Sequence, residues 1–146
     1  MKTIVLIVMA LNVLWFLAAF QLFALRSRTA AKLLLRKEIR IEPYFAIVSQ
    51  LTKFLGGMNL ALAVFAVICL VDHDWFLMYR LNYAFFFAFF VAHMSQFWYN
   101  VPVAIKEKKN HPSAWSVLKG TMKFIFIGDL LLAICNLILA IYWCYI

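Results

Sequence analysis

Four stretches of this chain are each long and apolar enough to cross a lipid bilayer, and together they take up most of its 146 residues. A spanning helix needs about 20 mostly apolar residues at 1.5 Å rise each. The runs lie at about 3–25, 54–71, 75–100 and 124–146. With 67% hydrophobic and 14% charged residues, a water-soluble globule is excluded. Backbone polar groups inside a bilayer must be satisfied within their own segment, so the runs read as helices. The expected fold is all-α, an integral membrane four-helix bundle forming a single transmembrane domain over 1–146, with cytoplasmic loops at about 26–53 and 101–123.

The first run, TIVLIVMALNVLWFLAAFQLFAL, follows Lys2 as a signal sequence would. At about 23 residues it exceeds the usual h-region of about 7 to 15, so it reads as a retained span. Pro102 is expected to end the third span, because it lacks an amide donor and disfavours helix in the residue before it.

The formal charge of +8 is a topology signal. Of the 14 Lys and Arg, all but Lys2 and Arg80 fall between the first and second runs or between the third and fourth. The positive-inside rule puts those loops in the cytoplasm and both termini on the non-cytoplasmic side. Nucleic acid is not expected as a partner, since the basic stretch from Arg26 to Arg40 contains no stacking aromatic.

Within that stretch Arg28, Lys32, Arg36 and Arg40 recur every four residues, the period of one helix face, with Leu33, Leu34 and Ile41 filling much of the rest. The pattern predicts a basic amphipathic helix at the interface after the first span, its cations contacting anionic lipid head groups. In the other basic loop, Trp115 and Leu118 are expected to dip into the interface while Lys106, Lys108 and Lys109 stay in water. The outer turn Asp72, His73, Asp74 predicts a tight hairpin between spans two and three.

Ionisable and amide side chains inside a bilayer are costly and therefore informative. Counted inward from the cytoplasmic span ends at 1.5 Å per residue, Gln21, Asn59, His93, Gln96 and Asp129 come out about 6, 8, 10, 6 and 8 Å deep. They form one expected polar layer. Asn12 and Asn136, about 20 and 18 Å deep by the same arithmetic, form a second. Small residues repeat beside them: Gly56, Asn59, Ala63 and Ala66 on span two, Ala84, Ala88 and Ala92 on span three, Asp129, Ala133, Asn136 and Ala140 on span four. Such stripes read as close-packing seams. Phe85, Phe86, Phe87, Phe89 and Phe90 are then expected to face lipid or a partner. The layer is read as a hydrogen-bonded clasp in preference to a pocket in which Asp129 and His93 exchange a proton or hold a polar head group; Asp129 pairing with Lys53 or Lys123 is a further alternative.

No cofactor or metal is expected. A bis-histidine haem needs two buried histidines, and only His93 lies well inside a span; His73 between two acids reads as a solvated turn. Cys69, Cys135 and Cys144 show no C-x-x-C spacing and read as small hydrophobes, with a Cys69–Cys144 bridge conceivable only if their helices adjoin. The sequence carries no Walker loop, nucleophile elbow or H-E-x-x-H. Trp75, Tyr79, Trp98, Tyr99, Tyr142, Trp143 and Tyr145 stand near span ends as interfacial belts.

From Thr52 to Asn100 the pattern TKFLGGMNLALA, a Tyr opening a span, then His93, Ser95 and Gln96 resembles the four-span scaffold family of ergosterol biosynthesis and related small membrane proteins. Gln96 stands where that family carries an acid, and the basic first loop has no counterpart there. The resemblance implies a tethering subunit that gathers membrane enzymes. The expected function is thus a non-catalytic accessory or scaffold subunit binding other membrane proteins or itself. The alternative is a homo-oligomeric channel or transporter for protons, ions or a small polar solute; an intramembrane lipid-modifying enzyme using His93 and Asp129 ranks third.

Overall fold

In the computed structural model, which describes residues 2–72, 82–113 and 115–145, the regular structure of the described residues is entirely helical. The elements are α1 (Lys2–Phe20), a π-helical segment (Gln21–Leu25), α2 (Ser27–Leu34), a 3-10 turn (Lys37–Ile39), α3 (Tyr44–Val71), α4 (Asn82–Lys108) and α5 (Gly120–Tyr145). Among the described residues three helical stretches, Lys2–Leu25, Tyr44–Val71 and Gly120–Tyr145, are long and apolar enough to span a membrane. The first seven residues of the expected third span, Trp75 to Leu81, lie outside the described residues, as do His73 and Asp74 of the outer turn.

Helix α1 packs along α3, and α4 along α5, with a slighter contact between α1 and α5. Lipid tails are as apolar as leucine, so helices associate in a bilayer through close packing and hydrogen bonds rather than through expulsion of water. The close packing joins large residues to small ones. Phe16 of α1 and Phe89 of α4 meet Ala63 and Ala66 of α3 in one buried cluster. Phe86 of α4 joins Val5 and Met9 of α1 with Leu139 and Ala140 of α5 in another.

That arrangement corrects the expected face of the third span. Phe86 and Phe89 are buried, whereas Ala84 and Ala88 are exposed and Ala92 is half-buried. The inward row of α4 is Asn82, Phe86, Phe89 and His93. Small residues of α3 and α5 already let the backbones approach, so the space opposite them takes aromatic rings, and the α4 alanines turn outward. Gly56, Ala63 and Ala133 do face inward. At Gly56 a Cβ would sit 2.5 Å from the Cβ of Ala24, so only glycine permits this contact between α3 and the π segment.

Two expected boundaries also shift. Helix α3 begins at Tyr44, ten residues before the expected start of span two at Phe54. Its extra turns receive α2, whose Ser27, Ala30 and Ala31 are buried. Ser49 donates to the Ser27 hydroxyl at 3.1 Å, fixing the two helices. Helix α4 runs through Pro102 to Lys108. Proline removes one donor from the ladder, and membrane helices tolerate that loss.

The four-residue basic stripe is broken. Arg28 and Lys32 lie on α2, but the helix ends at Leu34, and Leu35 is extended. Arg40 turns back and donates to the carbonyls of Lys32 and Leu35 at 2.7 and 3.1 Å, closing the helix end instead of extending the stripe. Arg36 donates to Ser113 at 3.4 Å, and Arg28 approaches Glu42 at 3.8 Å. In the other basic loop, Trp115 donates its indole N–H to Asn100 on α4 at 2.9 Å, which folds the loop back onto the helix.

Candidate functional site

The buried polar core is assembled from α1, α4 and α5. Asn12, His93, Asp129 and Asn136 have no measurable exposure. Each stands on the inward row of its helix, where any polar atom must find a protein partner. Asn12 and Asn136 exchange reciprocal amide bonds at 3.0 Å. His93 Nε2 lies 2.9 Å from Asn12 Oδ1, and His93 Nδ1 lies 3.0 Å from Asp129 Oδ1. Trp15 donates its indole N–H to the same Oδ1 at 2.9 Å. The imidazole is stacked on Phe16, with ring centroids 4.8 Å apart.

The amide orientations fix where the protons are. Asn12 Nδ2 donates to the Val8 carbonyl at 2.9 Å, and Asn136 Nδ2 to the Leu132 carbonyl at 2.8 Å. A helix carbonyl only accepts, so neither amide can be reversed without setting oxygen against oxygen. Asn12 Oδ1 therefore accepts from His93, and Nε2 carries a hydrogen. One further proton lies on the line between Nδ1 and Asp129 Oδ1. It sits on the ring, giving an imidazolium–carboxylate pair, or on the carboxyl, giving two neutral groups. Either way the pair carries no net charge, which is how a bilayer interior tolerates it.

This arrangement holds a proton, and among the described residues no donor–acceptor chain leads from it to the surface. Trp15 only donates, and the two amides end on helix carbonyls. Asp129 Oδ2 is buried with no partner among the described residues.

The two expected layers are thus not the observed grouping. His93 and Asp129, assigned to one, join Asn12 and Asn136, assigned to the other. One ring joins the two groups: His93 Nδ1 faces Asp129 while its Nε2 faces Asn12, and because α4 continues past Asn100 to Lys108, a count from Asn100 misplaces His93. Asn59 is buried on α3 and donates to the Leu55 carbonyl at 2.8 Å, outside the network. Gln21 is exposed and Gln96 half-buried; both line a separate cavity nearer the basic loops. Asp129 pairs with His93 and Trp15 rather than with Lys53 or Lys123.

Trp15 is the member the sequence reading missed. A tryptophan some ten residues inside a span is too deep for an interfacial belt, and its N–H needs an acceptor. It also stands three residues after Asn12, on the same helix face. Its ring lies against Gly128, where any side chain would collide with it.

Among the described residues no cluster of three or more His, Cys, Asp or Glu is suited to a metal. The three cysteines are free thiols. No family model, curated protein or solved structure matches the chain.

Proposed function

We propose that this chain is a non-catalytic accessory or scaffold subunit of a membrane complex, a four-helix bundle with both termini on the non-cytoplasmic side. The observation that carries the reading is the closed polar core. His93 and Asp129 meet around a single proton through Asp129 Oδ1, and among the described residues their hydrogen bonds lead only to Asn12, Asn136, Trp15 and helix carbonyls, which suits a structural clasp better than a conduction path. What the helices present outward is apolar: Tyr83, Phe87 and Val91 of α4 are exposed beside Ala84 and Ala88. The small residues on that face would let a partner helix approach closely. The resemblance of Thr52 to Asn100 to the ergosterol-biosynthesis scaffold family supports the same reading. The basic loops then lie against anionic lipid on the cytoplasmic side.

The test is the native mass of the particle purified in a mild detergent, with every protein in it identified. A stoichiometric foreign subunit, lost when Ala88→Leu blocks the outer face of α4, is the expected result. A homo-oligomer that conducts protons or solute in proteoliposomes, with flux abolished by Asp129→Asn, would replace this reading with the transporter.

A further inference from the structure

A cavity of about 240 Å³ opens between α1, the π segment, α4 and α5, toward the basic-loop end of the molecule. Trp15 and Phe124, tilted against each other with centroids 5.4 Å apart, form an aromatic wall. Around the rest stand Gln21, Arg26, Gln96 and Thr121. None of these four side chains has a hydrogen bond or ion pair among the described residues. Polar side chains left free at a membrane helix end are ordinarily hydrated; four that line one apolar slot point to a ligand with a polar end.

The slot is also a built feature. The π segment supplies Gln21, Leu22 and Phe23 to its wall, and π-helical turns inside longer helices recur at functional sites. On the opposite side α1 and α5 meet only slightly, and Ala18 and Phe124 at that seam are exposed.

We propose that this cavity is a binding site for one anionic membrane lipid of the leaflet on the basic-loop side. An acyl chain lies against Trp15 and Phe124, Arg26 meets the phosphate, and Gln21, Gln96 and Thr121 donate to its oxygens. The volume is below the usual range for drug-sized pockets, about 300 to 1,000 Å³, which suits a slender chain better than a rigid ring system. Arg26 is the only charged group among the lining residues, so the head group it selects is an anion. Trp15 belongs to both the cavity and the buried core, so an occupied slot bears directly on the residue that donates to Asp129. The inference does not depend on the accessory reading.

Native mass spectrometry of the full-length protein, titrated with phosphatidylglycerol, phosphatidylcholine or a free fatty acid, tests it. The wild type is expected to retain one phosphatidylglycerol in preference to phosphatidylcholine. Arg26→Gln should lower that affinity about fivefold, the equivalent of about 1 kcal/mol for one cation near an anionic surface. Ala19→Phe, which fills the slot, should abolish it, while Lys123→Gln, whose exposed cation lies on α5 outside the slot's lining, should leave it unchanged. Equal retention of both phospholipids, or an equal loss in Lys123→Gln and Arg26→Gln, would overturn the site in favour of diffuse surface charge. Retention of the free fatty acid alone would overturn the phospholipid assignment.

Discussion

At Asp129 a single oxygen serves two donors, and that sharing makes its substitutions separable. Asp129→Asn preserves shape and one acceptor, and the amide's N–H can face a neutral His93 ring. The bond to Trp15 is then lost and its buried N–H left without an acceptor, so the expected cost is about 1 to 3 kcal/mol. Asp129→Leu strands both His93 Nδ1 and the Trp15 N–H in a buried setting, and should cost about 3 to 5 kcal/mol, as breaking a buried pair does. Equilibrium unfolding in mixed micelles measures both, and equal losses would contradict the shared-oxygen geometry. Nitrogen-15 spectra of His93 should show Nε2 protonated in the wild type.

For the helices the informative contrast is between adjacent glycines of α3. Gly56 faces Ala24 of the π segment, and Gly57 has open space around it. Gly56→Leu should force α3 away from the π segment at a cost of about 1 to 3 kcal/mol or more. Gly57→Ala should stabilise by about 0.5 to 1 kcal/mol, because alanine loses less freedom than glycine on entering a helix. Thermal unfolding of the pair decides this. At the C-terminal end of α4, Glu107 accepts from the Ser116 hydroxyl of the loop to α5 at 2.6 Å and from the amides of Val117 and Leu118 at 2.8 and 2.9 Å. Desolvation pushes its carboxyl up, but the bonds from Ser116, Leu118 and Val117 and the nearby Lys119 charge together hold it below the ordinary carboxylate range. A depressed folded value means the loop has its full stabilisation above the ordinary carboxylate range and loses it as pH falls through the folded value. Hydrogen-exchange protection of Val117 and Leu118 should therefore fall in acid, and Glu107→Gln should remove most of that pH dependence.

For the whole molecule, the charge asymmetry makes a prediction about orientation. Reporter fusions at either terminus should be active only on the non-cytoplasmic side, and fusions in the loops at 26–43 and 109–119 only in the cytoplasm. A reporter active in the cytoplasm at either end would reverse the proposed topology. Hydropathy, a property read along one dimension, was enough to establish from the sequence an all-helical membrane protein, with its first, second and fourth runs apolar enough to span. Helical period alone also put Gly56, Ala63, Asp129 and Asn136 on inward faces. Three-dimensional packing decided the rest. Which face of α4 turns inward depended on the volume left by the small residues of its neighbours, so Phe86 and Phe89 displaced the alanines that a small-residue rule favours. Which polar residues meet depended on which helices lie side by side and on the reach of one ring, His93 touching Asp129 with Nδ1 and Asn12 with Nε2. His93 therefore reaches Asn12 and Trp15 of a helix distant in sequence, because partners across a bundle are chosen by where whole helices cross.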